Sequence, residues 1–308
     1  MKIVFMGTPE FAVPCLERLL SEGHEVLAAF AQPDKPKGRK MQLTPPPVKE
    51  AALALGIQVE QPATLRGNDA LETLRKYAPE CIVVVAYGKI LPPEILALPA
   101  RGCINVHASL LPKYRGAAPY QWAVLNGETE TGVTTMRMAE GVDTGDMLLR
   151  RRCAIPEDMT AGELHDALAR LGADTLAETL RLLQAGRITP QPQDHAQATH
   201  APMLGKALSP MDWRKSAAAL HNQVRGLNPW PGAEAVLCGK RLKIHRSRIS
   251  DLPPDLPPGA ITMDANRVLA ACGVGALELL EVQPEGKRAM DAMEYLRGVH
   301  YEGALRFE

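Results

Sequence analysis

Asn105 and His107 stand two residues apart at the end of an apolar run, in the stretch Asn105-Val106-His107-Ala108-Ser109-Leu110-Leu111-Pro112-Lys113-Tyr114-Arg115-Gly116-Ala117-Ala118-Pro119. In an extended strand that spacing puts both side chains on one face. A neutral amide donor beside a titratable imidazole could polarise a carbonyl and handle a proton. Pro112 and Gly116 break the strand pattern, so a loop is expected to follow. A buried strand histidine before an ordinary turn accounts for the same residues, and the stretch alone leaves both readings open. A carboxylate is offered by Glu140-Gly141-Val142-Asp143-Thr144-Gly145-Asp146, where two glycines shape a tight loop around Asp143. Asp143 and Asp146 as plain turn chemistry is the alternative.

The elements that would position these groups can be read from hydrophobic periodicity. Ile3-Val4-Phe5-Met6, Val26 to Phe30, Cys81 to Val85 and Cys103 to His107 are apolar strands, with a short strand near Ile57-Gln58-Val59. Helical spacing covers Phe11 to Leu20, Val48 to Leu55 and Leu71 to Tyr77. Such alternation predicts an α/β fold with a Rossmann-like, doubly wound, mostly parallel sheet, whose ligands bind at the carboxyl ends of strands. Gly132 to Met138 and Met147 to Arg151 add two strands. Thr160 to Gln184 is a leucine-striped helix with a Thr160/Glu163 capping box and a candidate break at Gly172. Periodicity vanishes from Ile188 to Lys206, which reads as a linker. Beyond it, a Ser216 to Arg225 helix and short strands at 235–237, 241–245, 261–263, 268–271 and 277–282 predict a small, OB-like β-barrel. The expected organisation is a catalytic domain over 1–189, a linker over 190–206 and a barrel over 207–308.

Composition narrows the class. The 308 residues are 46% hydrophobic and 23% charged, enough for a full core. Six scattered cysteines include no CxxC pair, which argues against a zinc site and a disulfide framework and fits a reducing cytosol. No apolar run reaches the length of a membrane span. The first turn, Gly7-Thr8-Pro9, lacks the three-glycine fingerprint, so no NAD is expected.

Net charge is zero, so an anionic partner would need local patches. Two exist. Lys35, Lys37, Arg39, Lys40 and Lys49 lie in a proline-rich segment that suits an exposed loop. Lys240, Arg241, Lys243, Arg246 and Arg248 crowd one barrel strand, with basic residues expected on both of its faces. A solvated loop and an aggregation-resistant edge strand are the bland accounts; RNA phosphates are the functional one.

The run Asn105 to Pro112, together with Asp143, resembles the signature of the folate-dependent formyltransferases. The resemblance extends over nearly the whole chain, through Phe5-Met6-Gly7-Thr8-Pro9-Glu10-Phe11-Ala12, Gln32-Pro33-Asp34, Val83-Val84-Val85-Ala86-Tyr87-Gly88 and Asn228-Pro229-Trp230-Pro231. Ala108, where glycine also occurs, is a minor departure. The Asn105 signature is shared by several N-formyltransferases, whereas the basic loop and the barrel resemble the tRNA-acting branch. This resemblance implies 10-formyltetrahydrofolate as co-substrate and a charged initiator methionyl-tRNA as acceptor, with no metal. It implies that Asn105 and His107 stabilise an oxyanion and that Asp143 pairs with His107. Ser109, Leu110, Leu111 and Pro112 would contact the folate, with Val85, Ala86, Tyr87, Gly88, Ile90 and Leu91 as a pocket wall. Lys35, Lys37, Arg39 and Lys40 would reach the acceptor arm, and Lys240, Arg241, Lys243, Arg246 and Arg248 the RNA backbone. A monomer in the bacterial cytoplasm is expected. A sugar-nucleotide or glycinamide ribonucleotide formyltransferase would share Asn105, His107 and Asp143 without needing the two basic segments. A nicotinamide oxidoreductase and a non-enzymatic RNA-binding protein each leave part of the pattern unexplained.

Overall fold

The computed structural model describes residues 1–38, 41–250, 256–264, 266–300 and 303–308, so the expected RNA contacts of Arg39 and Lys40, and of the Lys37 side chain, lie outside what is described. Two compact units divide the chain: residues 1–116 with 132–153 and 165–200, and residues 117–131 with 154–164 and 201–308.

In the first unit, strands apolar on both faces demand cover on both faces. Lys2–Gly7 pairs in parallel with Glu25–Phe30 on one side and Cys81–Val85 on the other. Val59–Glu60 and Cys103–His107 extend the sheet in parallel at its two sides. Parallel neighbours need crossover connections, which Val13–Ser21, Pro47–Ala54, Asn68–Tyr77 and Pro93–Leu96 supply as helices. Glu130–Arg137 then runs antiparallel to Cys103–His107, setting Asn105 opposite Met136 and His107 opposite Thr134. Met147–Ala154 completes the seven strands. One face packs Val4, Met6, Phe30, Leu74, Ile82 and Val84 together. The doubly wound, mostly parallel expectation is therefore met.

Ala161–Gln184 is one uninterrupted helix of 24 residues, not two. The Thr160 hydroxyl accepts the Glu163 N–H at 3.2 Å, and Glu163 Oε2 accepts the Thr160 N–H at 2.8 Å, which is the capping box. Gly172 does not break the helix; a Cβ there would meet Val106 Cγ1 at 3.1 Å. Its role is close approach to the strand that carries Asn105 and His107.

In the second unit, five strands lie in the order Ala233–Leu237, Lys240–Ser250, Ala276–Pro284, Arg267–Ala271 and Ile261–Asp264, with Met290–Asp291 paired to the central one. The carboxyl terminus joins the two edges. Ile261 N–H donates to Leu305 O at 2.8 Å and Glu308 N–H to Val236 O at 3.0 Å, with bridges from Phe307 to Leu237 and from Arg306 to Ala260. The antiparallel sheet so bridged packs around Leu220, Leu242, Ile244, Val268 and Leu277, while the fully closed barrel expected is not formed by its strand ladders among the described residues. The expectation of a strand basic on both faces is corrected. Leu242 and Ile244 are buried, and a register shift around Arg246 turns Ser247 inward and leaves Arg246 and Arg248 exposed. A bulge moves the side-chain alternation by one residue, so Arg241, Arg246 and Arg248 all face away from the core.

Candidate active site

Asn105 and His107 sit at the carboxyl end of their strand, on one face, as their spacing requires. The Asn105 side chain makes no hydrogen bond among the described residues, and its Oδ1 is buried. A buried amide oxygen without a donor is costly and rare; the residue as a whole is half-buried, and its N–H donors make no bond among the described residues. His107 is 6% exposed. Its Nε2 lies 2.9 Å from Tyr114 O. A carbonyl can only accept, so Nε2 carries a proton and donates it to that bond, leaving Nδ1 to face the site.

Nδ1 faces Asp143 Oδ2 at 3.6 Å. This is an ion-pair distance but too long for a hydrogen bond, so Nδ1 makes no hydrogen bond to Asp143. Asp143 is held by its loop. Its φ is +53°, a left-handed conformation that disfavours side chains, and its Oδ2 accepts the Gly116 N–H at 2.8 Å. Gly145 permits the tight return, since a Cβ there would fall 1.8 Å from Arg137 O. Asp146, by contrast, is exposed.

The remaining expected residues divide by burial. Ser109 and Leu111 are fully buried and build the loop: Ser109 Oγ donates to Lys113 O at 2.6 Å, and Leu111 N–H donates to the Thr134 hydroxyl at 3.1 Å. Leu110 and Pro112 are half-buried. On the neighbouring loop Val85, Tyr87 and Leu91 belong to the core, and burial pushes the Tyr87 phenol up to about 12. Ala86, Gly88 and Ile90 reach the surface, Ile90 at 78% exposure. Two strand ends steady this loop: Thr8 Oγ1, after the first strand, and Gln32 Nε2, after the second, donate to Tyr87 O at 2.9 and 3.0 Å. A cavity of about 260 Å³ opens between residues 65–71 and 92–95 and contains none of the three central side chains.

Three contributors carry no sequence signal. The Tyr114 carbonyl and the Gly116 amide act through backbone, and Thr199 secures both by accepting the Tyr114 N–H on its hydroxyl and the Arg115 N–H on its carbonyl, each at 2.8 Å.

The basic segments differ in how free their charges are. Lys35–Lys37 pairs with Gln42–Thr44 as a small hairpin, more ordered than the expected loop, with Lys35, Met41 and Leu43 exposed. Lys49 is held by Asp34 at 2.9 Å. On the barrel, Arg246 pairs with Glu163 at 2.8 Å and Lys243 lies 3.8 Å from Glu234. Lys240, Arg241 and Arg248 make no ion pair among the described residues. No group of three or more His, Cys, Asp or Glu side chains among the described residues could hold a metal.

Residues 1–180 match the family model described as formyl transferase, and residues 204–300 match that described as formyl transferase, C-terminal domain. This defines the class. The methionyl-tRNA formyltransferase of Caldanaerobacter subterraneus subsp. tengcongensis is 52% identical over 299 residues, covering 97% of each chain. That of Moorella thermoacetica is 50% identical over 300 residues, covering 97% of this chain and 96% of the relative. The chain belongs to the methionyl-tRNA formyltransferase family. Its fold is shared by the sugar 3N-formyl transferase WlaRD, with a TM-score of 0.69 at 18% identity over 94% of this chain and 99% of that one. It is shared too by HypX of Aquifex aeolicus in complex with tetrahydrofolic acid, with a TM-score of 0.67 at 16% identity over 100% of this chain and 51% of that one.

Proposed function

We propose that Asn105, His107 and Asp143 carry the formyl transfer of this family, from 10-formyltetrahydrofolate to the α-amino group of methionyl-initiator tRNA. The observation that carries the reading is the placement of Asn105 and His107 on one face at the carboxyl end of a strand, with Asp143 Oδ2 3.6 Å from His107 Nδ1. The residues suit the co-substrate: Ala86, Gly88 and the exposed Ile90 offer a wall, and the Asn105 amide offers a polar group where the formyl oxygen would lie. The co-substrate supplies the formyl carbon, which the methionine amine attacks to give a tetrahedral oxyanion that collapses with loss of tetrahydrofolate.

Asn105 Nδ2–H donates to the oxyanion and His107 Nδ1–H adds a second hydrogen bond. One such donor lowers the barrier by roughly 3–4 kcal/mol. Asp143 pairs with the His107 ring and helps to take the proton released by the attacking amine, which passes to the departing tetrahydrofolate nitrogen. Acceptor choice lies with the basic residues assigned to RNA, Lys35 on the hairpin and Lys240, Arg241, Lys243, Arg246 and Arg248 on the barrel. The reading includes a monomer, because one chain supplies all three central residues, and a bacterial cytoplasm, where charged initiator tRNA is used.

Incubating the purified protein with 10-formyltetrahydrofolate and methionyl-tRNA is expected to give formyl-methionyl-tRNA. Formylation of an amino-sugar nucleotide with methionyl-tRNA left untouched would overturn the acceptor assignment.

A further inference from the structure

The aperiodic run after the long helix reaches back to the site. We propose that Gln193 is a positioning residue that holds Asp143 in its working conformation; this rests on the role given to Asp143 above.

Gln193 is 6% exposed and uses its whole amide. Nε2 donates to Asp143 O at 2.8 Å and to Gly145 O at 2.7 Å, so both N–H groups clamp the backbone on either side of Thr144. Oε1 accepts from Arg115 Nε at 3.1 Å and Nη2 at 2.6 Å. These are charge-assisted bonds to a guanidinium that is itself 6% exposed. Arg115 is fixed in turn by His195 Nδ1 at 3.2 Å from Nη2. The strap is anchored on one side by paired backbone bonds between Gln191 and Met147, both 2.8 Å, and on the other by Thr199.

What the clamp opposes is identifiable. Asp143 has a positive φ, and left-handed backbone at a non-glycine residue persists only where surrounding contacts over-determine it. The Gly116 amide fixes the carboxylate, while Gln193 fixes the main chain that bears it. Release of the two carbonyls would let the loop relax, and Oδ2 would leave its place beside His107 Nδ1. Arg115 and Gly116 are adjacent, so one turn of chain carries both the support for Gln193 and the amide that binds Asp143. Among the described residues the Gln193 side chain bonds only Asp143 O, Gly145 O and Arg115, so it acts through Asp143.

Gln193→Glu isolates the effect. It keeps the side-chain length and the Arg115 contact but turns the donor end into an oxygen facing two carbonyls. Turnover is expected to fall about 10- to 100-fold, because displacements near 1 Å have effects of that order. KM for methionyl-tRNA and for 10-formyltetrahydrofolate should stay within about threefold, a split that general loosening would not produce. In an Asp143→Ala background the same change is expected to have no further effect, since residues acting as one unit are not additive. Gln193→Met, which removes all four bonds without adding charge, gives a second variant for the same measurements if Gln193→Glu does not fold. Full turnover in the folded single variant, or a fully additive loss in the double variant, would overturn the proposal. Full turnover of Asp143→Ala alone would instead remove Asp143 from the reaction, and the positioning role with it.

Discussion

Asn105 separates function from stability more cleanly than its neighbours. Its amide oxygen is buried and has no hydrogen-bond partner among the described residues, so the folded state carries a desolvation cost there. Replacing it with an apolar side chain of similar size, Asn105→Leu, is expected to leave stability in urea equal to or above that of the natural protein. Turnover should fall about 100- to 1000-fold, the usual loss for one oxyanion donor. Unchanged turnover in that variant would exclude Asn105 from the reaction. His107 behaves differently because its ring bonds Tyr114 O inside the protein. His107→Ala should lose turnover and also roughly 1–3 kcal/mol of stability, since it strands a buried carbonyl; denaturant unfolding beside a formylation assay checks both. Such trade-offs between a prepared site and a stable core are general.

Among the elements, the 24-residue helix is the clearest case of local rules setting structure. Its capping box was legible because Thr and Glu three residues apart before an apolar stripe have one common use. The Thr160 N–H holds the Glu163 carboxyl below its usual range, with smaller help from the Thr160 hydroxyl and Arg246. A carboxyl depressed in the folded state adds stability above its unfolded value, and that stability is lost as pH falls through the folded value. Glu163→Gln should therefore be less stable than the natural protein at pH 7, and the two unfolding curves should converge as pH drops below about 4. Thr160→Ala is expected to cost about 1 kcal/mol. The strands and helices of the sheet were legible for the same reason, since burial on both faces writes itself as continuous apolar runs. Three features were not. Gly172 looks like a helix breaker until Val106 is placed against it. The bulge near Arg246 depends on cross-strand register, which one strand's composition does not encode. Gln193 lies in a run without periodicity, and its purpose is visible only once the carbonyls of Asp143 and Gly145 are located.

For the whole molecule, a net charge of zero means that affinity for a polyanion depends on which cations are free rather than how many there are. Composition suggested five equivalent basic residues on the barrel strand, and the structure divides them. Arg246 is engaged by Glu163 at 2.8 Å and Lys243 lies near Glu234, whereas Lys240, Arg241 and Arg248 have no acidic partner among the described residues. A cation already paired must give up its partner before meeting a phosphate, so its net contribution to binding is smaller. Arg241→Ala and Arg248→Ala are therefore expected to raise KM for methionyl-tRNA several-fold and to lower the salt dependence of tRNA binding by about one unit of log–log slope each. Arg246→Ala should change that slope by clearly less, and it should lose a little stability at its contact with Glu163. KM for 10-formyltetrahydrofolate should be unaffected in all three. Measuring tRNA affinity across a salt series for these variants decides the matter. Equal slopes for Arg246→Ala and Arg248→Ala would mean that the Glu163 pair opens freely, and slopes equal to the natural protein's for Arg241→Ala and Arg248→Ala would mean that this strand does not meet the RNA.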